Sequence, residues 1–286
     1  MTVELLEPHG FCAGVSAALA KAETSLAKAD GRVYCLHELV HNEIVVRELR
    51  SRGMVFVESV EEVPEGATVL FSAHGVGPSV RARARERNLE ILDATCPFVE
   101  KVHRAAGEFA KAGLPVVVIG KSGHAEVEGI VGEVKGAGGE VIVVAGPEEV
   151  GEIPGGRSAK FGVVAQTTMN ADEVAETVGA IRRGREVAAM AEVCRATKLR
   201  QDAVKAFRAR RKGERDAALL VLGSATSSNT RRLCEVAGPL KVFRAGTIEE
   251  LAEMDFQDVG ILGVTSGAST PETFFADAVK FLKTRR

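Results

Sequence analysis

The sequence predicts an α/β protein built on parallel sheets, because short β-branched segments alternate with helical segments along nearly the whole chain. The chain has 286 residues, which is long enough for two or three domains. Its predicted strands fall into three successive sets that share one plan. We therefore expect three small parallel-sheet α/β units arranged around a pseudo-threefold axis.

Each set is justified by β-branched and apolar runs that are separated by amphipathic stretches. The first set of predicted strands covers residues 32–35, 54–57, 68–71 and 90–92. The second set covers residues 115–119, 140–144, 161–165 and 186–190. The third set has only three members, at residues 217–222, 241–243 and 259–262. The N-terminal strand at 3–6 could complete it, so the predicted units are 14–95, 96–193 and 194–286, the last one completed by residues 1–13.

Composition excludes several classes of protein. A formal net charge of −2, no Trp and a single Tyr argue against a nucleic-acid binder, which needs a basic surface and stacking side chains. The longest apolar runs, such as Ala217–Leu222, are far too short to span a membrane. The N-terminus lacks the basic region and apolar core of a signal peptide, so we expect a cytoplasmic protein.

Chemically active residues recur at matching places in the three sets. Because ligands collect at the carboxyl ends of parallel strands, these positions predict one shared cavity. After the first strand of each set come His41, then His124 with Glu126, then Ser227, Ser228 and Asn229. After the third strand come His74, Thr167 and Ser269. After the fourth strand come Cys96, Cys194 and, if the N-terminal strand closes the third set, Cys12.

The three matched cysteines are candidates for metal binding. Cys12, Cys96 and Cys194 each precede an apolar-periodic helix, and a helix N-terminus favours the thiolate, the form that binds metal. Their wide spacing matches no compact zinc or ferredoxin motif. Three thiolates could hold a zinc ion with one open position, or an iron–sulfur cluster with one iron that lacks a protein ligand. Cys35 and Cys234 are interpreted as core residues.

The remaining positions form an anion-binding set. The histidines, the hydroxyls and the amide can all donate hydrogen bonds, and helix N-termini add backbone N–H groups for phosphate oxygens. Glu126 is the one carboxylate among them, two residues from His124, and it is placed to act as a general acid. Taken singly, each of these residues is more typical of a structural role such as a helix cap. Their convergence favours a site.

Nine short segments carry a resemblance to a known family. They are Gly10–Val15, Leu39–Asn42, Phe71–Val76, Asp93–Val99, Gly123–Val127, Gln166–Thr168, Cys194–Thr197, Ser227–Asn229 and Gly267–Glu272. In this order they resemble the 4-hydroxy-3-methylbut-2-enyl diphosphate reductase family, the terminal enzymes of the non-mevalonate isoprenoid pathway. The resemblance extends over essentially the whole chain.

The resemblance implies a trefoil of α/β units around a central [4Fe–4S] cluster that is held by Cys12, Cys96 and Cys194. It also implies a reductive dehydroxylation that yields isopentenyl and dimethylallyl diphosphate, with ferredoxin or flavodoxin as the electron donor. Glu126 matches the proton donor, with Thr167 and His124 in its relay. The residues that match the diphosphate pocket are His41, His74, His124, Thr167, Ser227, Ser228, Asn229 and Ser269. The residues alone leave two alternatives open, a zinc-dependent hydrolase of a phosphorylated metabolite and a non-catalytic iron–sulfur sensor.

Overall fold

Strands and helices alternate along the chain, as the sequence pattern predicts. The computed structural model describes residues 1–29, 31–154 and 159–284. Its strands are β1 (Thr2–Leu5), β2 (Val33–Leu36), β3 (Met54–Val57), β4 (Thr68–Phe71), β5 (Glu90–Asp93), β6 (Val116–Ile119), β7 (Val141–Val144), β8 (Lys160–Ala165), β9 (Glu186–Met190), β10 (Ala217–Leu222), β11 (Lys241–Ala245) and β12 (Ile261–Ser266). Residues 30, 155–158 and 285–286 fall inside the three predicted units but lie outside the described residues.

The helices lie between these strands, except the last one, which follows β12. They are α1 (Ala13–Lys28), α2 (Glu43–Ser51), α3 (Pro78–Glu86), α4 (Pro97–Lys111), α5 (Ala125–Gly136), α6 (Ala171–Arg182), α7 (Arg195–Arg210), α8 (Ser228–Val236), α9 (Ile248–Ala252) and α10 (Glu272–Thr284). Short 3₁₀ segments cover Val60–Glu62 and Pro147–Glu152. None of the helices in the described ranges is both long enough and apolar enough to cross a membrane.

The described strands form three four-stranded sheets, and every strand pair in them is parallel. The strand orders are β3-β2-β4-β5, β7-β6-β8-β9 and β11-β10-β12-β1. If β1 is counted as a fourth strand, the third sheet has the same order as the other two. The predicted α/β class with three parallel sheets is confirmed.

The third strand of the last set is the main difference from the predicted bounds. Residues 259–262 were expected to be extended, whereas β12 covers Ile261–Ser266. The Val259 N–H donates to the Phe256 carbonyl in a turn, so pairing with β10 begins only at Ile261. The strand then continues to Ser266, because β10 provides partners as far as Leu222.

Alternation along the central strands builds a core on both faces of a sheet. In β6, Val117 and Ile119 join one apolar cluster, whereas Val116 and Val118 join another. Strand β10 divides its side chains in the same way. Successive side chains of a strand point to opposite faces, so a run that is apolar throughout is the expected pattern for a parallel sheet covered on both sides.

The chain divides into two compact units, which we name by their place in the sequence. The terminal unit comprises Met1–Val15, His41–Glu48 and Cys194–Arg286, and it carries the sheet formed by β1, β12, β10 and β11. The central unit comprises Ser16–Val40 and Leu49–Val193, and it carries the other two sheets. The division into three units at 14–95, 96–193 and 194–286 stays a prediction.

Candidate functional site

The predicted site residues are shared between the two units, and each unit is described by itself. The terminal unit carries Cys12, His41, Cys194, Ser227, Ser228, Asn229 and Ser269. The central unit carries His74, Cys96, His124, Glu126 and Thr167. All of these residues follow the carboxyl ends of strands or begin helices, which is where α/β proteins bind ligands.

The three matched cysteines all lie at helix N-termini. Cys96 and Cys194 are the N-cap residues of α4 and α7, and Cys12 immediately precedes α1. The Cys194 sulfur accepts the Thr197 N–H at 3.3 Å, and the Cys12 sulfur accepts the Val15 N–H at 3.5 Å. All three thiols are half-buried. Helix N-termini stabilise negative charge, so these positions suit thiolate ligands.

The other two cysteines have a different environment. Burial raises the pKa of the Cys35 thiol to about 12, and Cys35 lies within β2 with no exposed surface. Burial also raises the pKa of the Cys234 thiol, to about 11. Thiols held in the protonated form are poor metal ligands, because the thiolate is the species that binds metal. The structure thus agrees with the interpretation of both as packing residues.

A network of side chains joins the loops of the terminal unit. The Asn229 Nδ2 donates to the Thr197 hydroxyl at 3.1 Å, and the Asn229 Oδ1 accepts the Ala268 N–H at 3.3 Å. Thr197 Oγ1 in turn lies 3.1 Å from the Cys194 sulfur. Asn229 therefore links the start of α8 to the loop that carries Ser269 and to the turn that carries Cys194. This is a positioning role in addition to the anion-binding role that its amide suggests.

The hydroxyls of the terminal unit are buried at the same loops. Ser227 is the N-cap of α8, where its Oγ accepts the Thr230 N–H at 3.3 Å. The Ser228 Oγ accepts from Arg231 at 3.4 Å. The Ser269 hydroxyl donates to the His41 carbonyl at 3.1 Å, which fixes the His41 backbone beside this loop. The terminal unit therefore places the His41 backbone and the hydroxyls of Ser227, Ser228 and Ser269 at neighbouring loops, and hydroxyls of this kind can bind an anion.

Glu126 is a buried acid of the central unit. Its carboxylate is 2% exposed and accepts two hydrogen bonds from Thr167, from the backbone N–H at 2.6 Å and from the hydroxyl at 3.1 Å. Burial raises the pKa of Glu126 to about 7, and the two bonds from Thr167 only partly oppose this effect. A carboxyl group that is protonated near neutral pH can act as a general acid.

The imidazole of His124 lies at the turn that carries this acid, and the imidazole of His74 lies against it. His124 is the N-cap of α5, and its Nδ1 accepts the Glu126 N–H at 3.2 Å. A neutral imidazole that accepts at Nδ1 carries its proton on Nε2, so His124 presents a donor at that atom. The rings of His74 and His124 meet edge to face, with centroids 5.6 Å apart. The loops after β4 and β6 therefore come together, as expected for one site.

Sequence reasoning missed two residues that order these loops. The His103 ring of α4 occupies a notch between two glycines of the central unit: a Cβ at Gly75 would lie 2.9 Å from its Cε1, and a Cβ at Gly129 would lie 2.6 Å from the same atom. Gly75 follows His74, and Gly129 lies one turn after Glu126.

The second residue that sequence reasoning missed is Arg200, which is buried in the terminal unit. On α4 the other buried residues are apolar or small, and on α7 Arg200 and Gln201 interrupt a buried face that also holds Val204 and Phe207. A polar or charged residue at a position where the helix periodicity predicts burial is the signal that could have revealed them.

We expect Gly129→Ala to lower the free energy of unfolding by about 1–3 kcal/mol, since its new methyl group would overlap the His103 ring. Gly179→Ala in α6 is the matched control, because a Cβ there meets nothing within 4 Å, and it should stabilise the protein by about 0.5–1 kcal/mol. Urea denaturation of both variants measures the difference. Equal stabilities would show that His103 does not need this notch.

The raised pKa of Glu126 also predicts a pH-dependent stability. The native state holds this proton more tightly than the unfolded chain, whose ordinary value is 4.5. Protonated Glu126 therefore adds about 3 kcal/mol to the free energy of unfolding below about pH 4.5, and this contribution is lost as the pH rises through about 7. Denaturation midpoints of wild type and Glu126→Gln at about pH 5 and pH 8 test this. Glu126→Gln should abolish this loss of stability between the two pH values. Glu128→Gln, which changes an exposed acid, should retain it.

Within the described residues, no three His, Cys, Asp or Glu side chains are gathered as ligands of a single metal ion.

A family model described as LytB protein matches residues 3–283 of the chain. The chain belongs to the LytB protein family. This membership confirms the family that the sequence motifs predict.

Relatives that match nearly the whole chain carry one enzyme name. A Haemophilus influenzae protein named 4-hydroxy-3-methylbut-2-enyl diphosphate reductase is 38% identical over 289 residues, which cover 99% of this chain and 90% of that protein. A Psychrobacter protein of the same name is 39% identical over 290 residues, which cover 99% and 89% of the two chains. These relatives are oxidoreductases by name.

Two solved structures of diphosphate reductases share the fold. The E-1-hydroxy-2-methyl-but-2-enyl-4-diphosphate reductase from Plasmodium falciparum matches with a TM-score of 0.88 and 30% identity, over 99% of this chain and 87% of that one. A second structure, of (E)-4-hydroxy-3-methyl-but-2-enyl diphosphate reductase, matches with a TM-score of 0.68 and 34% identity, over 99% and 100% of the two chains. Its description calls that enzyme the terminal enzyme of the non-mevalonate pathway.

Membership in the LytB family implies an iron–sulfur cofactor. The described residues fit such a group in their chemistry, because three half-buried thiols stand at helix N-termini and two others are held protonated by burial. Thiolates are the usual protein ligands of iron–sulfur clusters.

Proposed function

We propose that this chain catalyses the reductive removal of the hydroxyl group from (E)-4-hydroxy-3-methylbut-2-enyl diphosphate. The carbon–oxygen bond to the hydroxyl breaks, the substrate takes up two electrons and two protons, and water leaves. The products are isopentenyl diphosphate and dimethylallyl diphosphate, which differ in the carbon that receives a proton. Family membership and the shared name of the relatives support this reaction.

The observation that carries the proposal is the buried pair of Glu126 and Thr167. A hydroxyl is a poor leaving group until it is protonated. A general acid supplies that proton most efficiently when its pKa lies near the working pH. The pKa of Glu126 is raised to about 7. We assign the proton donation to Glu126, with Thr167 holding its carboxyl group and His124 holding the backbone of the same turn.

The anion-binding residues are assigned to the diphosphate. Imidazole and hydroxyl donors can hold phosphate oxygens in one orientation, and backbone N–H groups at helix N-termini add to them. The residues assigned to this task are His41, His74, His124, Thr167, Ser227, Ser228, Asn229 and Ser269. Asn229 and Ser269 also keep their own loops in place. A bound diphosphate would restrict the orientation of the substrate.

Cys12, Cys96 and Cys194 are assigned as the ligands of a [4Fe–4S] cluster. When bound, such a cluster supplies single electrons and a Lewis-acidic iron that lacks a protein ligand. The resemblance names ferredoxin or flavodoxin as the source of these electrons, and we extend that partner to this chain. A cytoplasmic location is proposed with it, since these donors are cytoplasmic proteins in bacteria.

Anaerobic purification tests the proposal directly. We expect the protein to contain iron and acid-labile sulfide and, with a strong chemical reductant, to convert the allylic diphosphate into its two products, as followed by mass spectrometry. A colourless zinc-loaded protein without sulfide would contradict the reductase and favour a hydrolase. A cluster-loaded protein that binds the diphosphate and never consumes it would instead favour a sensor.

A further inference from the structure

The terminal unit buries an arginine on the helix that begins at Cys194. Arg200 is 2% exposed and lies on the same face of α7 as Thr197, Val204 and Phe207, which are also buried. Positions spaced in this way form the stripe of a helix that packs into a core, and apolar residues are expected there. Arginine is almost never fully buried unless its charge is paired. A fully buried guanidinium at this place therefore calls for a specific explanation.

The hydrogen bonds of Arg200 join the two cysteine-bearing segments of the terminal unit. Its Nη2 donates to the Gly10 carbonyl at 2.7 Å and to the His9 carbonyl at 3.4 Å, just before Cys12. Its Nη1 donates to the Ala196 carbonyl at 3.1 Å, just after Cys194. One planar guanidinium thus connects segments that are about 190 residues apart in the sequence.

The segment that precedes Cys12 is held on its other side as well. The Gly10 N–H donates to the Ser266 hydroxyl at 2.8 Å, and Gly10 has a φ of 68°, which favours glycine. The Cys12 N–H donates to the Ala268 carbonyl at 3.0 Å. With Arg200 on Gly10, the backbone of this segment is fixed at three points. The position of the Cys12 sulfur is therefore set by the loop before the helix begins.

The charge of Arg200 is not paired by any of these bonds, because all of its acceptors are neutral carbonyls. Its Nε has no hydrogen-bond partner among the described residues. Burial lowers the pKa of Arg200, and the charges that oppose this effect come from Cys12 and Cys194 first, with Glu7 last. A buried cation is costly without an anion close by. Glu7 supplies one carboxylate, and Cys12 and Cys194 add negative charge when they bind a metal centre as thiolates.

We propose that Arg200 is a positioning residue for the metal centre, which holds the segments of Cys12 and Cys194 as a preset pair and balances the negative charge of their thiolates. The inference rests on the proposed function, because it assigns these two cysteines as cluster ligands. Reduction adds a negative charge to a cluster, and a fixed cation close by stabilises the reduced state. Arg200 therefore both retains the cluster and raises its reduction potential.

Three variants separate the effect of Arg200 on cluster retention from its effect on the reduction potential. Arg200→Met removes the charge and the hydrogen bonds, whereas Arg200→Lys keeps the charge and loses the planar fork. Arg208→Met is the matched control. Arg208 is half-buried on the same helix and also donates to a carbonyl, that of Val236 at 3.0 Å, which lies outside the segments of Cys12 and Cys194. Each variant is purified without oxygen and loaded with iron and sulfide beside wild type.

The readouts are the rate of iron loss to a chelator and the midpoint potential from a redox titration followed by electron paramagnetic resonance. For Arg200→Met we expect iron loss to be faster by about 10- to 100-fold, as for other residues that support metal ligands, and a midpoint potential more negative than that of wild type. Arg200→Lys should lose iron faster at a nearly unchanged potential. Arg208→Met should match wild type in both measurements.

The outcomes distinguish this inference from the proposed function. If wild type takes up no iron and sulfide, the proposed function fails and this inference fails with it. If wild type holds a cluster and Arg200→Met has the same potential and iron retention, only the role of Arg200 is overturned. If Arg200→Met does not fold, Arg200→Lys decides, because iron retention equal to that of wild type in this variant contradicts the positioning role.

Discussion

Glu126→Gln is expected to lower turnover by about 10²- to 10⁴-fold, the usual contribution of a positioned general acid. The amide cannot donate an acidic proton, yet its oxygen can still accept the Thr167 N–H and its size is unchanged. The structure around it should therefore be preserved. Steady-state rates of the anaerobic, cluster-loaded variant with a chemical reductant measure the effect.

The control for this prediction lies on the same helix. Glu128 is exposed on α5 and accepts the Gly123 N–H at 3.3 Å, so Glu128→Gln changes an acid two residues away without touching the buried pair. It should keep nearly the full rate. In Glu126→Gln, iron content and binding of the diphosphate should match wild type. A rate close to that of wild type in this variant would refute the assigned role.

The pH profile provides a second measure of the same group. With its pKa raised to about 7, Glu126 is largely protonated at pH 6 and largely ionised at about pH 8. The protonated form is the one that donates, so the turnover of wild type should fall as the pH rises through about 7. Whatever turnover remains in Glu126→Gln should lack this step, since Gln does not titrate.

Much of the fold could be predicted because its information is local. Runs such as Ala217–Leu222 are apolar throughout and appear as strands with the predicted bounds. The start of β12 was misplaced because it depends on a turn, in which Val259 bonds to Phe256, and on the extent of β10. The turn is local, but the extent of β10 is a tertiary fact that a window of a dozen residues does not contain. Strand existence was therefore predicted better than the strand's limits.

The candidate site residues in the loops could be predicted from the sequence, whereas the helix residues that support those loops could not. Cysteine, histidine and serine beside strand ends have few structural explanations when they recur, so their recurrence was informative. His103 packs against two glycines, and Arg200 donates hydrogen bonds to the backbone of a distant segment. The residues next to them in the sequence do not indicate these partners. The burial that raises the pKa of Glu126 is also a property of the folded chain. The sequence could therefore name Glu126 as a candidate acid, but it could not give the pKa of that carboxyl group in the folded chain.

The cysteine variants test which thiols hold the metal centre. Cys12→Ser, Cys96→Ser and Cys194→Ser should each lose most of their iron and sulfide and nearly all turnover, because a hydroxyl is a poor ligand for the soft sites that thiolates prefer. Iron and sulfide analysis of protein purified without oxygen measures this, with the visible absorption of the cluster as an independent readout.

Cys234→Ser is the matched control, since Cys234 is also half-buried but its pKa is raised to about 11 by burial. Cys35→Ala is the second control, with alanine chosen because a hydroxyl in that core would cost about 1–3 kcal/mol if it found no partner. Both should keep a full complement of iron. Helix N-termini favour the thiolate at the three assigned positions, whereas burial disfavours it at the other two, so one physical difference separates the groups. Loss of iron from either control, or its retention in Cys12→Ser or Cys194→Ser, would mean that another set of side chains binds the cofactor.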